Sequence, residues 1–236
     1  MKKTIGILGG MGPEATAHFY SLLIRRTRAA RDQDHVPVIM WADPRVPDRT
    51  AAILRGGPSP VPALLRGLRA LRRAGADFAV IPCLTAHVFM KEIQASSQLP
   101  FVHLVEETLK FLRTEMPRRR VTGLLASSGT IAAGLFQSSF APAGLEVLVP
   151  APAEQEKIMG AIYGPRGIKA GFTRGRPRML LRGAAARLIR RGARVVIAGC
   201  TEVPLALQEG DLEVPLLDPM DIAARACLIR AGFPIK

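Results

Sequence analysis

The chain carries three cysteines, Cys83, Cys200 and Cys227, and two of them stand in matching places. Cys83 ends the apolar run DFAVIPC and Cys200 ends ARVVIAGC, and a threonine follows each within two residues, Thr85 and Thr201. Cys227 lies in AARACLIRAG at helical apolar spacing and reads as core. An odd, small number of cysteines does not look like a disulfide framework, so thiols are expected. A thiol, with an ordinary pKa of about 8.5, can act as acid or base near neutral pH. Two thiols on opposite sides of one carbon would take a proton from one face and return one to the other, which inverts a stereocentre. One sulfur would then be thiolate and the other thiol, and a following helix N-terminus would favour the thiolate. A C-x5-R phosphatase loop is excluded, because the arginine positions hold Phe89 and Ala206. Cys83 and His87 have metal-ligand spacing, but no second close-spaced pair accompanies them. His87 is expected to pack or cap near the first turn.

The cysteines must be positioned by the elements around them. TIGILGG reads as a strand and residues 13–31 as a helix opening at Pro13. VPVIMWAD is a strand, and residues 60–75 a helix stopped by Gly75. DFAVIPC is a strand followed by a helix over 86–94. LPFVHL leads into the helix VEETLKFLRTEM. The pattern restarts with the strand VTGLLAS, a helix, EVLVPA, a helix, ARVVIAGC and a final helix. This alternation predicts an α/β fold with parallel sheets flanked by helices.

An internal repeat organises these elements. GADFAVIPCLT, from Gly75, resembles GARVVIAGCTE, from Gly192, and the offset 200 − 83 = 117 also carries Gly6 onto Gly123 and Gly12 onto Gly129. Two homologous, pseudo-symmetric lobes are therefore expected. In open parallel sheets ligands bind beyond the carboxyl ends of the strands, where both cysteines fall. The GGMGP loop invites a dinucleotide reading, with an acid, Asp43, closing the next strand. G-x-G-x-x-G fails at its third glycine unless Ala15 is counted.

Composition narrows the function classes. The chain is 48% apolar and 22% charged, and no apolar run approaches the length of a membrane span. Glycines interrupt the N-terminal apolar run at once, so a first strand is expected there rather than a signal peptide, and a cytoplasmic location with it. The net charge is +14, but the arginines are scattered at helix-face spacing and aromatic residues are 5%, so nucleic-acid binding is not expected.

The segments GILGGMGPEAT, DPRVPDRT, IPCLTAH, IYGPRGIKAG and AGCTEVP, spread in order along the chain, resemble the aspartate/glutamate racemase family, in its aspartate racemase branch. The resemblance implies a cofactor-free amino-acid racemase that uses two cysteines and no pyridoxal phosphate. It further implies two α/β lobes with the site between them, usually in a homodimer, and no metal. The expected first lobe is 1–104 with the C-terminal helix 217–236 returning to it, and the second is 105–216. Cys83 and Cys200 match the catalytic pair, while Arg49 and Lys169 match cations placed near the substrate. A guanidinium can clamp a carboxylate in two places, and an ammonium acts as a point charge. Met11 in the glycine loop, Thr85, Thr201, Ser127, Ser128, Thr130 and Glu202 complete the expected lining. The hydroxyls could donate to substrate carboxylate or cap their own helices, and Glu202 could bond within the site or orient the substrate ammonium.

One position departs from the family pattern. Leu84 stands where the motif P-C-N-T-A-H has asparagine, which removes a side-chain donor and adds an apolar wall. The substrate therefore stays open. A hydantoin racemase or isomerase-like relative, or a non-catalytic amino-acid-binding protein, remains an alternative.

Overall fold

The computed structural model describes residues 2–236. The chain divides into two compact units. One runs up to Glu107 and takes in Met220–Lys236, and the other is Thr108–Pro219.

The first unit is built from β1 (Ile5–Gly9), α1 (Pro13–Arg26), β2 (Val38–Ala42), α2 (Arg49–Arg55), α3 (Val61–Arg73), β3 (Phe78–Val80), α4 (Met90–Ser96), β4 (Phe101–Val102) and the start of α5 (Leu104–Glu115). Its sheet is parallel in the order β2-β1-β3-β4. Every residue of β1 is buried, as expected of a central parallel strand covered on both faces. The second unit comprises β5 (Val121–Ala126), α6 (Ser128–Ala132), α7 (Leu135–Phe140), β6 (Glu146–Leu148), α8 (Pro152–Tyr163), α9 (Arg176–Arg190), β7 (Val195–Gly199), α10 (Val203–Ala206) and β8 (Leu216–Leu217). Its sheet is again parallel, in the order β6-β5-β7-β8. α11 (Pro219–Ala231) then belongs to the first unit.

The offset of 117 holds atom by atom in the two sheet centres. Ile5 pairs with Phe78, and Thr122 with Val195. A Cβ on Gly6 would meet Ala76 and Leu71, and one on Gly123 would meet the equivalent Ala193 and Leu188. Ala76 N donates to Leu71 O and Ala193 N to Leu188 O, each at 3.0 Å. The preceding glycines, Gly75 and Gly192, both have positive φ, 96° and 107°. The two halves thus share one helix–turn–strand joint, in which a glycine turn lets an alanine press against a bare backbone.

The arginine-rich helices bury their apolar stripes and leave their cations outside. α3 buries Val61, Leu64, Leu68 and Leu71 while Arg66, Arg69, Arg72 and Arg73 are exposed. α9 buries Leu181, Ala184, Ala185 and Leu188 in the same way. Among the described residues no helix is long and apolar enough to cross a membrane.

Two of the expected helices differ in their bounds, and α2, α10 and β8 are additional to the sequence expectation. α1 stops at Arg26, not near residue 31, because Thr27 turns extended and bridges Ile235 in the returning C-terminus. Thr27 donates both its N–H and its hydroxyl to Leu23 O, and Arg26 clamps Asp221 of α11 with two hydrogen bonds, at 2.6 and 2.9 Å. The segment after Cys83 is not an α-helix from residue 86 but a 3-10 turn, Leu84–Phe89, ahead of α4. There Cys83 O accepts from Ala86 N at 3.1 Å and from the His87 ring Nδ1 at 3.0 Å, so the carbonyl that would start an α-helical ladder is already engaged.

Candidate active site

In the first unit, Cys83 lies just past β3 at the carboxyl edge of the sheet, 4% exposed. It packs in the same apolar cluster as Met11, Val46, Ile81 and Ala86. Met11 belongs to the loop after β1. Gly10 makes this loop possible, since its φ is +97° and a Cβ there would sit 2.5 Å from the Asp43 backbone. Gly10 N donates to Thr16 Oγ1, which donates in turn to Gly12 O, so the glycines seat the loop on α1 and on the end of β2.

Arg49 opens α2, a helix whose N-cap is Asp48, accepting from Ala51 N at 2.7 Å, and whose C-cap is Gly56 in the left-handed region. Arg49 is 7% exposed, and its guanidinium donates to the carbonyls of Val46, Pro47 and Met11. It is therefore tied to the glycine loop that carries Met11, and α2 packs against the turn that follows Cys83. Leu84 and Thr85 in that turn are also buried, Leu84 at 1%.

His87 was not singled out for the site, yet it fixes the Cys83 turn. Nδ1 donates to Cys83 O, and Nε2 accepts from Leu104 N at 3.3 Å, which settles the ring in one neutral tautomer. Burial, reinforced by His103 packed edge-on at 4.5 Å between centroids, pulls its pKa down to about 3. The neutral ring links the Cys83 turn to the start of α5, the helix in which the chain leaves the first unit.

In the second unit, Cys200 directly follows β7 and is 6% exposed. Its Sγ donates to Glu202 Oε2 at 2.9 Å, and Thr201 Oγ1 approaches the same oxygen at 3.3 Å. The other carboxylate oxygen pairs with Lys169 Nζ. Lys169 sits on the 3-10 turn Ile168–Ala170, anchored by the fully buried Ile168, and its ammonium lies 5.3 Å above the centre of the Tyr163 ring. Burial pushes the Cys200 thiol pKa well up; the Glu202 carboxylate pushes the same way and Lys169 opposes it. At Cys200 this corrects the expectation that a following helix N-terminus favours the thiolate. α10 has only four residues, and desolvation outweighs any dipole it presents.

Ser127, Ser128 and Thr130 follow β5, whose Ala126 pairs with Gly199 of β7, so their loop and Cys200 leave neighbouring strand ends. Ser127 caps α6, its hydroxyl accepting from Thr130 N and lying 3.1 Å from Thr130 Oγ1. Ser128 Oγ accepts from Gln155 Nε2 at 3.2 Å, and Gln155 also donates to Ala126 O. Gln155 is thus a second residue that sequence reasoning missed, and only the packing of α8 reveals it. Cys227 is fully buried in α11 and its thiol is pushed above the ordinary range, as expected of a core residue. Among the described residues no group of three or more His, Cys, Asp or Glu is arranged to hold a metal ion.

Each unit therefore presents a half-site of the same plan. A buried thiol stands at the carboxyl edge beside a loop from the neighbouring strand, with a buried or half-buried cation held in the same unit. Residues 8–227 match the Asp/Glu/hydantoin racemase family. The broad specificity amino-acid racemase RacX of Bacillus subtilis is 28% identical over 96% of this chain and 95% of its own. The Picrophilus torridus aspartate racemase superposes with a TM-score of 0.89 at 28% identity, covering 99% of this chain and 96% of that one. An aspartate racemase homologue from Pyrococcus horikoshii gives 0.77 at 26% identity, covering 98% and 100%.

Proposed function

The chain belongs to the Asp/Glu/hydantoin racemase family, and on that footing we propose a cofactor-independent amino-acid racemase whose Cys83 and Cys200 bracket the substrate α-carbon. The observation that carries this reading is the equivalence of the two thiols. Each is buried just past the corresponding strand of a repeated unit, beside the strand whose end carries the neighbouring loop. A racemase has need of such a pair, because an acid and a base of one chemical kind can exchange roles between enantiomers.

In one direction a thiolate removes the α-proton. An S–H bond forms as the C–H bond breaks, and the electron pair spreads into the substrate α-carboxylate. The opposing thiol then gives its proton to the other face, leaving one thiol and one thiolate with their places exchanged. Hydroxyls of Thr85, Ser128 and Thr130 and the Arg49 guanidinium are the groups we assign to the carboxylate, where donors aimed at developing charge count most. Ser128 suits this role, since Gln155 already donates to its oxygen and its own proton is left to give. Leu84, buried and apolar where the family motif carries an amide, favours substrates whose side chain tolerates an apolar wall. We place the enzyme in the cytoplasm as a homodimer by family likeness.

The test is a panel of L-amino acids, with aspartate, glutamate and a hydantoin included, analysed by chiral chromatography after incubation with the pure protein. We expect D-product from at least one amino acid, without added pyridoxal phosphate and after hydroxylamine treatment. No inversion across the panel, or inversion abolished by hydroxylamine, would refute the proposal.

A further inference from the structure

A two-thiol exchange needs one proton shared between two sulfurs, and the second unit indicates where that proton rests. Glu202 is ion-paired through its other oxygen with Lys169 Nζ, and as a carboxylate it can only accept, so the 2.9 Å bond from Cys200 to Oε2 has its hydrogen on the sulfur. Thr201 Oγ1 reaches the same Oε2. Cys200 as thiol and Glu202 as carboxylate are buried, and Lys169 as ammonium, its side chain 24% exposed, brings the charge of the three to zero. Removing the Cys200 proton would leave a thiolate against a carboxylate, with a net negative charge out of water. The repeat sharpens the contrast, because 85 + 117 = 202 places Thr85, a neutral hydroxyl, where the second unit has Glu202. The half-sites match in where their strands place the thiols but not in their charge.

We propose that Glu202 is a positioning residue that keeps the proton on Cys200, so that the resting enzyme offers Cys200 as the acid and Cys83 as the base. Lys169 then serves as the counter-ion of Glu202. The group facing the Cys200 thiol within its unit is Glu202, with Thr201 on the same carboxylate oxygen and Lys169 on the other, Tyr163 beneath the ammonium. The consequence for turnover rests on the racemase reading. After Cys200 has given its proton to carbon, the C–H bond is formed, the thiolate faces Glu202, and Cys83 holds the proton taken from substrate. The resting form returns when that proton passes back, by reaction of the opposite enantiomer or through solvent. The resting enzyme is thus ready for the enantiomer whose α-proton faces Cys83.

The protonation claim is tested without racemisation, so its failure and that of the racemase reading are distinguishable. The full-length protein is alkylated with iodoacetamide across pH 6–11, and each cysteine is followed by peptide mass spectrometry. Glu202→Gln is expected to lower the pH midpoint for Cys200 by at least one unit, and Lys169→Met, at a half-buried position, to raise it. Glu202→Asp restores the midpoint toward the parental value, and the Cys83 midpoint is the same in all variants. Opposite shifts from the two substitutions are a signature that packing damage does not produce. An unchanged or raised Cys200 midpoint in Glu202→Gln, or shifts of the same sign in both variants, would overturn the proposal.

Discussion

His87 makes the fold acid-sensitive in a way that can be measured. In the folded chain its ring stays neutral down to about pH 3, because burial disfavours the imidazolium and because Nε2 must keep a lone pair for Leu104 N–H. In the unfolded chain it takes a proton near its ordinary value of 6.5. Between those two values the unfolded state binds more protons, so stability falls as pH falls. At pH 4.5 the unfolded state is favoured through this one residue by about 2 × 1.36, or about 2.7 kcal/mol, relative to neutral pH. That figure depends on the unfolded value alone, since pH 4.5 still lies above the folded one. His87→Gln removes the titration. The variant loses buried hydrogen bonds and is less stable at pH 7.5, but its deficit relative to the parent narrows as the acid limb is descended. His18 and His103, whose pKa values burial also lowers, are common to both proteins and largely cancel in the difference. Urea denaturation of both proteins from pH 7.5 to 4.5 gives the comparison. A stability difference independent of pH over that range would refute a neutral, doubly bonded His87.

The glycine joint gives a pair of opposite expectations. Gly6→Ala places a Cβ 2.9 Å from Ala76 Cβ and 3.2 Å from Phe78 O, and is expected to cost about 1–3 kcal/mol. Gly160→Ala, on an exposed helical face with nothing within 4 Å, is expected to gain about 0.5–1 kcal/mol, and thermal melting separates the two. Cys227→Ala leaves racemisation at the parental rate while lowering the melting temperature, since it trims a core side chain far from any assigned role. Leu84→Asn restores the amide of the family motif. The expected result is a substrate preference shifted toward aspartate and glutamate in the amino-acid panel, with an unchanged preference counting against Leu84 as a pocket wall.

Much of this architecture was legible from residue pattern, and the reasons are local. The buried runs TIGILGG and ARVVIAGC and the apolar stripe of VPALLRGLRALRR carry their period in themselves, and the 117-residue offset needed only two matched segments. α2, too short to show an apolar period, carries only its end signals, Asp48 as cap and Gly56 as stop. The over-long α1 could not have been corrected locally, because Thr27 is turned aside by Ile235, more than two hundred residues later. The cysteines and cations of the half-sites were readable by type. Their partners were not: Lys169 meets Glu202 across 33 residues, Gln155 reaches Ser128 across 27, and His87 reaches Leu104 across 17. Such bonds are set by which strand ends lie side by side, and a sequence pattern does not contain that.

The two-thiol exchange is tested most directly in deuterium oxide, with an L-amino acid that the enzyme racemises and early time points. If one sulfur removes the proton and the other supplies a different one, the first D-product carries deuterium at Cα while recovered L-substrate keeps its protium. Cys83→Ala and Cys200→Ala should each abolish the inversion. D-product that retains its original α-proton, or parental racemisation by either alanine variant, would contradict the account.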